Sequence, residues 1–162
     1  MFTLEKYIIQ YIDIVDLINI FLWLLEVIDD LHKKGDSHND IQAKNIIIYE
    51  DIHKYELIGY NPRNDENVSI HSPEMSDGRV FENDKYFKTS DIYAIGLLLY
   101  KIITGGDEPY IRDENGKIKS KYRSIKSSMD IPMKAMLKIN PDERVTAPIA
   151  IILLKNYIKK LK

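Results

Sequence analysis

Residues 90–103 run Ser90-Asp91-Ile92-Tyr93-Ala94-Ile95-Gly96-Leu97-Leu98-Leu99-Tyr100-Lys101-Ile102-Ile103, a helical segment with almost no polar face. A helix that is apolar all round has no side to offer to water, so it belongs at the centre of its domain with other elements packed around it. Thr104-Gly105-Gly106 closes it, because glycine just past a last turn takes a positive φ at no steric cost. The rest of the chain must therefore supply a shell.

With 162 residues, 44% of them hydrophobic, the chain is long enough to build that shell as one domain over 1–162. A chain of this size buries roughly 68–70% of its unfolded surface, so neither metal nor disulfide is needed to hold the core. Cysteine is absent, which excludes disulfides, zinc–thiolate sites and a thiol nucleophile and fits a reducing, cytoplasmic location. The 23 basic and 25 acidic residues leave a net charge of -2, with no single-sign field to draw nucleic acid or a membrane surface. The N-terminus carries no secretory pattern, and the apolar stretch Leu17–Leu25 contains Asn19 and is too short to cross a bilayer.

Hydrophobic periodicity predicts a short helix over 4–12 opened by Thr3, and a long one from about Val15 to Lys34, stopped by Gly35. In the long helix Asp16, Asn19, Glu26, Asp30 and Lys33 form a narrow polar stripe on an otherwise apolar cylinder. Two β-rich runs, Asn45–Tyr49 and Tyr55–Ile58, read as a hairpin joined by Glu50–Lys54. Residues 59–87 are polar and broken by Pro62, Pro73 and Gly78, and 107–126 read as a loop with one short helix. Helices at about 129–138 and 147–161 complete a mainly α chain, the last ending in lysines suited to the negative end of its dipole.

Between the long helix and the first strand lies His38-Asn39-Asp40-Ile41-Gln42-Ala43-Lys44-Asn45. It resembles the catalytic loop of protein kinases, H-R-D-L-x-x-x-N, with Asp40 and Asn45 at the family's spacing. Further motifs follow in the family's order. Leu31–Gly35 resembles the end of the helix before that loop, Ser72-Pro73-Glu74 the A-P-E that closes the activation segment, and Ser90–Gly96 the D-x-W/Y-S-x-G entry to the central helix. Thr104–Tyr110 resembles the G-x-x-P-F/Y loop, and Asn140–Ala147 the late N/D-P-x-x-R-P-T motif.

The resemblance implies a kinase-like C-terminal lobe, with a catalytic-loop region at 36–61, a short, degenerate activation segment at 59–74, a central helix at 90–103 and C-terminal helices over 129–162. It further implies that Asp91 accepts hydrogen bonds from the catalytic-loop backbone, and that Glu74 pairs with Arg144. His38 is then a packed structural histidine. These are framework roles, which persist without catalysis.

The departures from the family carry the functional expectation. Nothing before Asp40 resembles a glycine-rich loop or the strand lysine that handles phosphate, and Thr3–Tyr7 resembles the first helix after the kinase hinge, so the N-terminal lobe is expected to be absent. Leu57-Ile58-Gly59-Tyr60-Asn61 stands where the family has D-F-G, so Gly59 would replace the metal-binding aspartate. Asn39 replaces an arginine and Gln42 a lysine of active Ser/Thr kinases. The expectation is a truncated pseudokinase with a vestigial catalytic loop, binding no metal and no cofactor. It would act as a regulator, decoy or scaffold of a protein partner: a kinase, a kinase substrate or a second copy. Apolar surface around His38, Tyr60 and the long helix would mediate the contact, with no nucleic acid or membrane involved. The alternative is the C-lobe of a split kinase, using ATP and magnesium with an N-lobe supplied in trans.

Overall fold

The computed structural model describes residues 1–8, 13–50, 54–61, 72–106, 108–124 and 128–161. At its centre is the apolar helix, α4 in chain order, which spans Lys85–Thr104. Ile92, Tyr93, Ile95, Leu99 and Tyr100 lose essentially all contact with solvent, and Gly105 ends the helix at φ 74°. α4 begins five residues before the apolar run because its first turn is amphipathic. Phe87 is buried and Lys85 exposed, while Lys88 Nζ reaches the carbonyl of His32 at 2.8 Å. Hydrophobicity alone marks the buried part of a helix, not its start.

The shell forms from helices with one apolar stripe each. α1 is Leu4–Ile8 and α2 is Ile14–Lys33. Asp13 caps α2 by accepting from the Val15 amide at 2.7 Å, and the predicted stripe of Asp16, Asn19, Glu26, Asp30 and Lys33 is exposed. α6, Ala147–Leu161, turns Ala147, Ala150, Leu154 and Tyr157 inward and packs along α2. α5, Asp130–Met136, crosses α4 at Gly96, where an added Cβ would lie 2.7 Å from the Cβ of Met136. Glycine there is a packing requirement, since any side chain would push the two helices apart.

Strands β2, Ile46–Tyr49, and β3, Lys54–Leu57, pair antiparallel as the expected hairpin, with Ile46 opposite Leu57 and Tyr49 opposite Lys54. Ile46 and Ile48 face the core, and Tyr55 packs on Trp23 of α2 at 5.4 Å between ring centroids. The sheet gains a third strand that hydrophobic pattern did not indicate: β1, Phe2–Thr3, pairs with β2 on the other side. Two residues are too short to show a period.

Two further expectations are corrected. Within 107–126 the structure has no short helix among its described residues but a second hairpin, β4 at Tyr110–Arg112 and β5 at Ile118–Ser120. The turn explains it: Asp113 Oδ1 accepts from the amides of Asn115 and Lys117 at 3.0 and 2.9 Å, and Gly116 takes φ 76°. Within the supposedly irregular 59–87, Pro73–Ser76 forms a helical turn, α3, with Ser72 as its cap and Pro73 at its first position. The rest of the short helix expected over 4–12 lies outside the described residues, as do positions 62–71 of the degenerate activation segment.

Candidate functional site

Asp91 sits in the second turn of α4, 2% exposed, with a carboxylate that must find partners inside the protein. It finds them in the loop that follows α2. Oδ2 accepts from the His38 amide at 2.8 Å and Oδ1 from the Asn39 amide at 2.9 Å, while His32 Nε2 lies 3.0 Å from Oδ2. The loop can present both amides only by a sharp bend, which Asn39 makes at φ 65°. Asparagine is among the side chains that tolerate that region. Its side-chain amide donates to the carbonyl of Asn61 at 3.0 Å, and the Asn61 backbone amide donates back to the carbonyl of His38 at 3.0 Å. The loop is thus fixed between the central helix and the chain leaving β3.

His38 is 3% exposed beneath the half-exposed ring of Tyr60, centroids 6.2 Å apart. Burial lowers its pKa from the ordinary value, and the Asp91 and Asp40 carboxylates and the Ile58 backbone only partly oppose that. Its Nδ1 accepts from the Asp40 amide at 3.3 Å. The apolar surface beside the loop therefore comes from Ile58 and Tyr60, 42% and 49% exposed, and not from His38 or the inward face of α2.

Asp40 and Asn45 come together at the rim of this loop. Asn45 Nδ2 donates to both the backbone carbonyl and Oδ2 of Asp40, each at 2.8 Å. The side-chain amide of Gln42 donates to the other carboxylate oxygen, Oδ1. Each oxygen of Asp40 thus already holds an amide hydrogen from its own loop. On the far side of Asn45 lies Gly59, at φ 78°, where a Cβ would come within 2.6 Å of Asn45 Nδ2 and 2.8 Å of its Cγ. The Asn45 side chain fills the space that a side chain at position 59 would use. Among the described residues, no three His, Asp or Glu side chains gather where they could hold a metal ion. At this rim Asp40 and Asn45 carry side-chain oxygens, and Gly59 adds no side-chain donor to them.

A second buried cluster braces the first. Arg144 makes a two-pronged pair with Glu74, Nη1 to Oε1 and Nη2 to Oε2, the latter at 3.0 Å, and both side chains are fully shielded from water. Arg144 spends its other hydrogens on the carbonyls of Lys138 and Thr89 and lies 4.8 Å over the ring of Tyr93. Ser72 and Ser90 hydroxyls meet at 2.7 Å, tying α3 to α4. The contacts of Gln42 with Asp40 and of His32 with Asp91 were not anticipated from sequence. The second joins residues 59 apart, and no local pattern marks it.

Two outcomes follow. Asp91→Ala strands the buried amides of His38 and Asn39 and should lose about 3 kcal/mol or more in urea unfolding; a loss under about 1 kcal/mol would mean the loop does not depend on it. Because the folded pKa of His38 lies below its unfolded value near 6.5, the unfolded chain binds more protons as pH falls through that value. Stability should therefore be full above about pH 7 and decline on acidification, and His38→Leu should flatten that decline. Melting temperatures between about pH 5 and about pH 7.5 would read both curves.

No family model matches the chain. Among curated proteins it is 30% identical over 103 residues to serine/threonine-protein kinase 1 of Orgyia pseudotsugata multicapsid polyhedrosis virus, an alignment covering 59% of this chain and 36% of that protein. It is 29% identical over 131 residues to the probable serine/threonine-protein kinase irlC of Dictyostelium discoideum, covering 72% of the chain and 9% of the relative. The chain thus spans about a third or less of the length of these relatives. A crystal structure of Rad53 1-466 in complex with AMP-PNP superposes with a TM-score of 0.72 at 20% identity, over 93% of this chain and 43% of that one. The fold is that of a protein-kinase C-terminal lobe, and over a partial region the chain is related in sequence to serine/threonine protein kinases.

Proposed function

We propose that the chain is a pseudokinase-type module that binds protein partners and does not transfer phosphate. The observation that carries this reading is the contact between Asn45 and the empty side of Gly59. In an active kinase the loop asparagine and the D-F-G aspartate both hold magnesium. Here Gly59 stands at the aspartate's place in the order of motifs and offers no side chain, and the asparagine has turned its amide onto Asp40. Metal charge stabilisation contributes several kcal/mol to phosphoryl transfer, so its loss lowers a rate by orders of magnitude.

Asp40 supports the same reading. A catalytic aspartate must accept the proton of an incoming hydroxyl and so needs an unoccupied oxygen lone pair aimed at substrate. The amides of Gln42 and Asn45 each take one lone pair, one on either carboxylate oxygen, so a hydroxyl would meet a carboxylate already engaged by its own loop. The binding role draws on what remains, a loop held rigid by Asp91 and flanked by the exposed apolar side chains Ile58 and Tyr60. Small apolar surface set on a rigid frame is what a docking site requires. The partners that fit are another kinase, a kinase substrate or a second copy of the chain. This reading rests on residues 40, 45 and 59 and holds whether or not other chain supplies a nucleotide-binding lobe.

The test is a thermal-shift titration of the protein with ATP, with and without magnesium. No magnesium-dependent rise in melting temperature is expected, since a ligand stabilises a fold only if it binds the native state. A clear rise would overturn the reading in favour of an ATP-dependent half-enzyme. Gly59→Asp separates the two accounts further. With Asn45 in its way and a positive φ to adopt, the new aspartate should cost about 1–3 kcal/mol of stability and bring no magnesium response.

A further inference from the structure

Charge is unevenly distributed along this nearly neutral chain. Residues 112–138 hold eight basic residues against three acidic ones; since the whole chain has 23 and 25, everything outside that stretch is left with 15 basic against 22 acidic. Among the described residues, the hairpin and α5 carry that charge on exposed side chains. Lys117, Lys119, Lys121 and Arg123 are exposed on or beside the β4–β5 hairpin, and Lys134 and Lys138 project from α5 and its end. Between the hairpin's exit and α5 runs a cleft of about 530 Å³ whose polar lining includes Ser120, Tyr122, Lys134, Lys138 and Asn140. Its single acidic lining residue, Glu143, accepts from Asn140 Nδ2 at 3.3 Å.

The acidic residues within the stretch are largely committed. Asp113 holds the hairpin turn and pairs with Lys119 at 3.1 Å. Asp130 pairs with Lys134 at 2.8 Å and accepts from the Tyr122 hydroxyl at 2.7 Å. Lys117, Lys121 and Lys138 have no carboxylate within ion-pair distance among the described residues. Their positive charge is therefore directed outward.

We propose that the β4–β5 hairpin and this cleft form a docking surface for an acidic, extended segment of a partner protein. This deepens the reading of the chain as a protein-binding module by giving one surface a partner chemistry. A short acidic peptide is favoured over nucleic acid for two reasons. A long polyanion would run off the basic surface onto the acidic remainder, whereas a peptide confined to the patch is screened from it beyond roughly 8–10 Å. Single-stranded nucleic acid also needs exposed aromatic faces for stacking. The tyrosines here are only half exposed and engaged, Tyr122 on Tyr100 at 5.1 Å and Tyr110 on Tyr93 at 6.2 Å.

The experiment is fluorescence anisotropy of a labelled peptide of about ten glutamates against the whole chain, with a labelled single-stranded RNA of about twenty nucleotides as the second arm, across a salt series. The peptide should bind, more weakly as salt rises. Lys121→Glu with Lys138→Glu should weaken it about tenfold or more, while Lys159→Glu with Lys160→Glu, the same charge change on α6, should alter it less than about twofold. Unchanged melting temperatures confirm that both pairs fold. Absence of peptide binding at low salt, equal losses in the two double variants, or tighter binding of the RNA would each overturn the proposal. All three readings are made without nucleotide, so their failure is distinct from a magnesium-dependent ATP response.

Discussion

A carboxylate buried in the second turn of the central helix organises this molecule. Asp91 cannot be hydrated where it sits, and no lysine or arginine pairs with it among the described residues, so backbone amides and the His32 ring must satisfy it. That demand reaches across the chain to positions 38 and 39 and forces the loop after α2 into a bend that only a few residue types make. Every other feature of the site follows from the bend. His38 goes under Tyr60, Asn39 ties to the exit of β3, and Asp40 is delivered to the rim where Asn45 and Gln42 meet it. The Glu74–Arg144 pair does comparable work from below, joining α3, α4 and the approach to α6 through one guanidinium. Removing half of such a pair leaves a buried charge, so both clusters hold their geometry by penalty as much as by attraction.

The same arrangement separates framework from chemistry. Asp91 and the Glu74–Arg144 pair are fully engaged within the fold. Catalysis needs the loop carboxylate and asparagine turned outward to substrate and metal. Here the two are turned toward each other, and Gly59 supplies nothing that would draw Asn45 away. A polar pair whose hydrogen bonds are made within its own loop keeps its geometry without a ligand. What the rigid frame then offers is surface: an apolar edge at Ile58 and Tyr60, and a basic hairpin on the opposite stretch of sequence.

Much of the fold was legible before the structure because the apolar period is strong where burial is deep. The run from Ile92 to Tyr100 announced a central helix, and the exposed stripe from Asp16 to Lys33 fixed which side of α2 faces water. The second hairpin was not legible, since three-residue strands are too short to show alternation and the only cue was the Asp113–Gly116 turn. Of the site, the residue types and their order could be read, but not their state. Whether Asn45 faces a metal or Asp40 depends on what lies across from it, and that space is set by a backbone conformation at Gly59 that no neighbouring residue encodes. The contact of His32 with Asp91 is hidden for the same reason: it joins two helices through a bend that neither helix specifies.

The most direct measurement is nuclear magnetic resonance of the side-chain amides with manganese and ATP added, because a bound paramagnetic ion broadens the resonances nearest to it. With Asn45 held on Asp40, its side-chain amide signals should keep their width and position through the titration, together with those of Gln42. Selective broadening of the Asn45 amide on adding the ion with ATP would place a metal at this loop and contradict the account.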